Sequence, residues 1–326
     1  MKVLIVRFSS IGDIVLTTPI IRALATQTDF EVHFLTKTRF SSVLHHNPYI
    51  NKIYTIESKI NEVLTHLKKE QYSYLIDLHK NLRSFRLRRA LAVPAYDFPK
   101  NNLEKWLLVN LKVNKLPNSH IVDRYFQSVA SLGVKKDEKG LDYFLGPEDQ
   151  VDIPNLPKKE GYLVFVLGAA HFTKQIPLTL FKKIISKLKQ PILLVGGTDQ
   201  REIGENLVQT FPRQVINYAG RLTLGQSACL LSNARAVLTP DTGMMHVAAA
   251  FSRPTVVIWG NTTPVFGMYP YQTDHENLEV KDLPCRPCHK IGKKKCPKGH
   301  FKCMNNQSVT EILAALNRKM QRDLPN

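Results

Sequence analysis

The feature that most constrains this chain is a rhythm of short apolar runs alternating with stretches of helical spacing. In the first half the strand-like runs are KVLIV, FEVHFLT, KIYTI and YSYLIDL. Between and after them come DIVLTTPIIRALATQ, SVLHH, INEVLTHLKKE and HIVDRYFQSVASLG, all patterned as helices. Apolar runs without polar alternation belong to strands covered on both faces, and intervening helices supply the cover. The rhythm therefore predicts an α/β fold built on a parallel sheet. The stretch LGPEDQVDIPNLPKKEG, rich in Pro, Gly and charge, interrupts it. Beyond, the pattern restarts with strands YLVFVLG, PILLVGG, QVINYAG, RAVLTP and PTVVIWG around helices PLTLFKKIISKLK, DQREIGENLVQTF, TLGQSACLLSNA and GMMHVAAAF. A chain of 326 residues accommodates two such domains, expected over 1–155 and 156–326. Ligands of open α/β sheets bind beyond the carboxyl ends of the strands, so two domains facing each other across a cleft are expected.

Charge narrows the partners. The formal net charge is +18, and so large an excess calls for an anionic ligand: nucleic acid, acidic lipid or a phosphorylated small molecule. No stretch approaches the ~20 apolar residues of a membrane span. The opening apolar run is too short for a secretory signal, which predicts a cytoplasmic location. Five cysteines, an odd number, do not suggest a disulfide framework there.

The most informative stretch is VLTPDTGMMHVAAAFSRPTVVIWG. A strand ends at Leu238, Pro240 and Asp241 turn the chain, and Thr242 and Gly243 open a helix. Free N–H groups at a helix start, with the helix dipole behind them, hold phosphate. Gly243 allows close backbone approach, and His246 lies on the same face as Thr242 one turn on. Capping alone explains Asp241 and Thr242 but not the early glycine or the histidine. The chain start, VRFSSIGDIVL, poses a similar question. Ser9, Ser10 and Gly12 suit a tight connector, yet Asp13 adds a carboxylate at a helix start, as either a plain first-turn acid or a chemical group.

PDTGMMHVAAA followed by RPTVVIWG resembles the nucleotide-binding motif of glycosyltransferase family 9, the ADP-heptose:lipopolysaccharide heptosyltransferases. RFSSIGDIVLTTP and IDLHKNLRS are similar to further motifs of that family, in the same order along nearly the whole chain. The resemblance implies a GT-B fold: two Rossmann-like domains, the acceptor on the N-terminal one and the nucleotide sugar on the C-terminal one. It implies that Asp13 is the general base taking the proton of the acceptor hydroxyl, a role that suits a carboxylate kept ionised at a helix start. Ser9, Ser10 and Gly12 would then line the acceptor side. In LGAAHFTKQIP, Thr173 and Lys174 are placed to meet the donor diphosphate; the family's Lys-Arg-Trp-Pro run reads Lys-Gln-Ile-Pro here. In LLVGGTDQREIG, Gly196 and Gly197 permit close approach, and Asp199 or Glu202 either binds ribose hydroxyls or simply starts a helix.

HKNLRSFRLRRA carries Lys80, Arg83, Arg86, Arg88 and Arg89 at helical spacing. Arginine suits anionic groups, so this helix is assigned to the acceptor or to a membrane surface, with a solvated basic face as the plain alternative. Four of the five cysteines, Cys285, Cys288, Cys296 and Cys303, fall in one loop, 285–303. They read as a structural zinc site with irregular spacing, His289 and His300 as alternative ligands, or as four free thiols. Cys229 reads as an ordinary core residue.

The resemblance, with these features, implies an inverting glycosyltransferase that needs no cofactor for catalysis. It would move heptose from an ADP-sugar to an anionic lipopolysaccharide-core acceptor, peripheral at the inner face of the cytoplasmic membrane. A transferase of the same fold with another nucleotide sugar or glycan acceptor is the nearest alternative. A zinc-loop nucleic-acid-binding protein is disfavoured, because no recognition helix is evident and two nucleotide-type sheets would go unexplained.

Overall fold

The computed structural model describes residues 1–153 and 161–321. The chain divides into two units, Met1–Lys100 with Ser119–Leu145 and Asn101–Asn118 with Gly146–Asn326. The boundary expected between 155 and 156 lies outside the described residues.

In the first unit the strands are β1 (Lys2–Val6), β2 (Glu31–Lys37), β3 (Lys52–Ile56), β4 (Tyr74–Asp77) and β5 (Ala95–Asp97). Its helices are α1 (Ile11–Val15), α2 (Thr18–Gln27), α3 (Leu64–Lys69), α4 (Leu82–Leu91) and, after α5 (Asn102–Leu111) of the second unit, α6 (Ile121–Phe126). The sheet runs β3-β2-β1-β4-β5 and is parallel throughout. Val3 pairs with Val32 on one side and Tyr74 on the other. Central β1 is buried on both faces, with Val3, Leu4, Ile5 and Val6 all at 0% exposure. That is why it reads as an unbroken apolar run. Burying such side chains contributes roughly 1.5–3 kcal/mol each.

The stretch expected as one helix, DIVLTTPIIRALATQ, is two. Pro19 has no N–H to continue a helix from α1, and the chain breaks at Leu16–Thr17 before restarting with Pro19 in the first turn of α2. HIVDRYFQSVASLG likewise yields only α6 and a later 3-10 turn at Ala130–Leu132. SVLHH is not an α-helix; a 3-10 turn covers Thr38–Val43. Arg22 on α2 is 3% exposed and bonds Asp137 (Nε–Oδ2 2.6 Å), Asp142 and the Gly140 carbonyl. It pins the segment that returns from α6.

The second unit repeats the plan. Its strands are β6 (Leu163–Val166), β7 (Ile192–Val195), β8 (Val215–Asn217), β9 (Ala236–Pro240), β10 (Thr255–Trp259) and β11 (His275–Glu279). Besides α5 its helices are α7 (Leu178–Ile185), α8 (Arg201–Thr210), α9 (Leu224–Ser232), α10 (Gly243–Ala250), α11 (Lys302–Asn305) and α12 (Val309–Met320). The sheet order is β11-β10-β9-β6-β7-β8, again all parallel. Counted from β6, this is the doubly wound order 3-2-1-4-5-6 of dinucleotide-binding sheets. β9 runs through Pro240, the end of the RAVLTP run, which lies opposite Ile258. α12 buries Ile312, Ala315 and Leu316 against the sheet core, and Ser308 accepts from Glu311 N at 3.3 Å as its cap. β5, β11, α5 and α12 were not foreseen from the sequence.

Candidate active site

Each sheet reverses its winding where its first strand meets its fourth, and in such folds the loops leaving those two strands form the ligand site. In the first unit these are the loops after β1 and β4, and they carry Asp13, His79, Lys80 and Arg83. Arg7 ends the apolar β1 run and organises the group. Its Nε donates to Ser9 O (2.8 Å), and its Nη1 to Leu78 O (2.5 Å) and to Tyr125 Oη (3.1 Å). Its Nη2 meets Asp13 Oδ1 at 2.6 Å, while Asp13 Oδ2 accepts from Ser10 N (3.1 Å) and Ser10 Oγ (2.9 Å). Both carboxylate oxygens are thus fixed at the start of α1, with the side chain still 21% exposed. Burial pushes the Asp13 carboxyl up, but the Arg7 charge and the Ser10 and Arg7 hydrogen bonds outweigh it and hold the group below the usual carboxylate range.

Around this pair the surroundings are tuned for one charge state. Burial, then the charges of Arg7 and Lys100, lowers the His79 imidazole to about 3, so it is neutral at physiological pH. Its ring stands edge-on to Phe8 at 5.1 Å, and the Arg83 guanidinium lies 5.3 Å from the same phenyl centroid. Burial pushes the Tyr125 hydroxyl up to about 12, leaving it a neutral hydrogen-bonding partner. Asp77 Oδ1 accepts from His79 N (3.0 Å) and Lys80 N (2.6 Å), which shapes the loop after β4.

The basic residues on α4 and just before it do not act alike. Lys80 Nζ and Arg88 Nη1 converge on Asp97, at 2.9 and 3.0 Å. Lys80 and Arg88 are thus tied to β5, while Arg83 lies over Phe8 and Arg86 and Arg89 face solvent. Gly12 is buried within α1, and its carbonyl accepts from Leu16 N at 2.9 Å.

In the second unit the equivalent loops follow β6 and β9. They bring Lys174 Nζ to Asp241 Oδ2 at 2.7 Å, with the side chains 15% and 13% exposed. Thr262 Oγ1 donates to the same oxygen at 2.7 Å. Thr242 has extended backbone geometry (φ −147°, ψ 170°) at the N-cap position of α10, where its side chain makes no cap hydrogen bond, and Gly243 is the first helical residue. His246, one turn in, is only 3% exposed. Thr173 is 1% exposed, and its hydroxyl is already engaged with the backbone of Lys293: it accepts from Lys293 N (2.8 Å) and donates to Lys293 O (3.2 Å). It fastens the cysteine loop to the β6 loop. One strand over, Asp199 and Glu202 are exposed around the start of α8, and Gln200 Nε2 donates to Asp199 Oδ2 at 3.0 Å. A Cβ on Gly196 would lie 3.1 Å from Gln200 Cβ, and one on Gly197 2.7 Å from Asp199 Oδ1. The stricter glycine was missed: Gly220, at φ +68°, would place a Cβ 2.8 Å from the Thr198 backbone beneath that turn.

The cysteine loop is built on Arg286. Its guanidinium bonds Gly260 O (2.5 Å), Thr262 O (2.7 Å), Val280 O (3.1 Å) and Glu279 Oε2 (2.6 Å). The loop thereby grips the residue that holds Asp241. The four thiols are free and near enough to influence one another. Burial, then Cys285, pushes the Cys288 thiol up, and burial, then Cys288, pushes Cys303 up to about 12. Cys285 Sγ and His300 Nε2 stand 3.9 Å apart, a spacing two ligands of one ion adopt. Among the described residues the loop nevertheless brings no three such ligand atoms within 4.8 Å of one another. The thiols would have to draw together to close on a metal.

Arg7, Tyr125, Asp97, Thr262 and Arg286 escaped the sequence reading. Only Arg7 left a signal: a cation placed directly after a buried strand and just before a serine-glycine-aspartate turn.

Two doubly wound parallel units, each with polar groups gathered at its winding reversal, have the architecture of the GT-B class. The profile of glycosyltransferase family 9 (heptosyltransferase) matches residues 60–298, and the chain belongs to that family. A curated relative, lipopolysaccharide heptosyltransferase 1 of Pseudomonas aeruginosa, is 26% identical over 316 residues, covering 89% of this chain and 86% of its own. Among solved structures, a glycosyl transferase family 9 protein from Veillonella parvula superposes with a TM-score of 0.78 at 20% identity, covering 98% of this chain and 97% of its own. The E. coli heptosyltransferase WaaC with ADP gives 0.69 at 20% identity, over 98% of this chain and all of the other. Among the described residues no helix is long and apolar enough to cross a membrane.

Proposed function

We infer that this enzyme transfers heptose from ADP-heptose to a hydroxyl of a lipopolysaccharide-core precursor, with inversion at the anomeric carbon. The observation that carries this reading is the Asp13 carboxylate, held ionised by Arg7 and Ser10 at the winding reversal of the first unit. Asp13 takes the proton of the acceptor hydroxyl as its oxygen bonds to the anomeric carbon. The bond from that carbon to the diphosphate breaks, and ADP leaves with the electron pair. A single displacement of this kind inverts the centre.

Negative charge grows on the departing diphosphate, and fixed positive charge is the effective catalyst for that change. Lys174 and the open N-terminus of α10 at Thr242 and Gly243 supply it. Asp241 holds Lys174 in place until the diphosphate competes for it. Asp199 and Glu202 are the acids available to ribose hydroxyls. Arg83 and Arg86, with Ser9, Ser10 and Gly12, take the anionic acceptor. This division of labour needs no divalent cation. The relatives' names support the sugar and acceptor, and the ADP bound to the E. coli neighbour supports the nucleotide. A structural zinc in the cysteine loop would require its thiols to draw together, would pin a lysine-rich segment, and would take no part in transfer. The enzyme works in the cytoplasm, peripheral to an anionic membrane.

Donor screening tests the reading. Each candidate nucleotide sugar is incubated with and without a core acceptor, and nucleotide release is measured. ADP-heptose should release ADP only when acceptor is present. Acceptor-dependent release from a different nucleotide sugar, with none from ADP-heptose, would overturn the assignment.

A further inference from the structure

Ten large hydrophobic side chains are exposed among the described residues, and four of them fall between positions 103 and 113: Leu103 (66%), Trp106 (53%), Leu111 (57%) and Val113 (43%). Leu103 and Trp106 are one turn apart on α5, with exposed Asn110 one turn further along the same face. Leu108, on the other side, is 8% exposed. The helix therefore has an inner side and an outer apolar stripe that none of the described residues covers. No catalytic role has been assigned to any of these residues.

Lysines gather at the C-terminal end of the stripe. Lys112 and Lys115 follow α5 and are exposed. Lys112 Nζ donates to Pro287 O at 2.7 Å, which sets the end of α5 against the cysteine loop of the same unit. That loop carries exposed Lys290, Lys294, Lys295 and Lys298, and exposed Ile291 (51%). It contains no acidic residue, and α5 contains only Glu104.

We propose that this face, the outer stripe of α5 with the lysine-rich cysteine loop set against its C-terminal end, docks onto an anionic phospholipid bilayer. It deepens the peripheral membrane contact read above and rests on that reading. An apolar stripe with tryptophan, bordered by lysine, is the pattern that settles at a headgroup–acyl boundary and is drawn there by acidic lipid. A second copy of the chain fits the face less well than acidic lipid, because the same surface on that copy offers these lysines almost no negative charge: the loop has no acid and α5 only Glu104. Nucleic acid would use the lysines but has no use for Leu103, Leu111 and Val113.

Trp106 supplies the readout. The only other tryptophan, Trp259, is 1% exposed, so its emission is a constant background. The full chain is mixed with vesicles of phosphatidylglycerol and phosphatidylcholine, or of phosphatidylcholine alone, and binding is measured by sedimentation and by tryptophan emission. The expected result is binding to the anionic vesicles, a blue shift of the emission, and weakening with salt. Leu103→Ser with Trp106→Ser should weaken that binding at least tenfold while leaving the melting temperature and transfer to a deacylated, water-soluble acceptor unchanged. Full-strength vesicle binding by the double variant, or no shift in wild-type emission at saturation, would overturn this face while leaving the membrane contact intact. Failure of the wild-type chain to bind anionic vesicles would overturn the face and the membrane contact together. Transfer to the soluble acceptor reports on the catalytic reading independently of all three. Concentration-dependent self-association that the double variant abolishes would reassign the stripe to a second copy.

Discussion

Replacing Asp13 with asparagine separates its two duties. Asparagine keeps the shape and one acceptor oxygen for Ser10, but loses the charge that faces Arg7 Nη2 at 2.6 Å. Removing one partner of a fully buried pair costs about 3–5 kcal/mol, because the other charge is stranded. Here the side chains of Arg7 and Asp13 are 11% and 21% exposed, and Arg7 keeps its bonds to Ser9 O, Leu78 O and Tyr125. Water and those acceptors relieve part of the loss, so about 2 kcal/mol of stability is expected to go. The chemical effect is separate and larger. A positioned base is worth about 10²–10⁴-fold, or about 2.7–5.4 kcal/mol of barrier. Asp13→Asn should therefore unfold at a modestly lower urea concentration, bind ADP with wild-type affinity by calorimetry, and release ADP in the presence of acceptor at least a hundredfold more slowly. Near-normal turnover would remove Asp13 from the mechanism. A parallel fall in ADP affinity would show that the substitution damages the protein broadly and tests no base.

Four further outcomes follow from the same geometry. Arg7→Met removes the charge that holds the Asp13 carboxyl down, so the acid limb of kcat/KM should move to higher pH; an unmoved limb would mean the pair does not set the base. The stability from this pair is present above the ordinary carboxylate pKa and lost as pH falls through the lowered folded value, so the gap in melting temperature between wild type and Arg7→Met should close in acid. Lys174→Ala should weaken ADP binding by about 10–100-fold, the worth of a charge-assisted hydrogen bond, and calorimetry showing no change would misplace the donor site. Short EDTA treatment should leave transfer intact, whereas protein purified without chelator or a metal-affinity tag should carry near-stoichiometric zinc by elemental analysis; a metal-free folded protein with four titratable thiols in the loop would remove the zinc assignment.

The sequence by itself determined the architecture. Strands buried on both faces are forced to be continuous apolar runs, so β1, β6 and β9 announced themselves and fixed a parallel sheet in each half. Residues at the strand-to-helix turns were legible for the same reason: Asp13, Lys174 and Asp241 are polar groups placed where an apolar run ends. α12 was legible too, through Ser308 followed by Glu311 and apolar residues at helical spacing, though it was not read. The tertiary structure alone decided which charges meet. Arg7 and Asp13 are close in sequence, but Tyr125 and Leu78 reach the same guanidinium from far along the chain. Lys174 finds Asp241 only after β6 and β9, distant in sequence, lie side by side, and Lys80 and Arg88 find Asp97 and Arg286 grips Thr262 only once neighbouring strands have paired. Periodicity records whether a residue faces a core, because burial is a property of its own element. It carries no record of partnership, because a salt bridge depends on two elements whose juxtaposition is set by the winding order of the sheet.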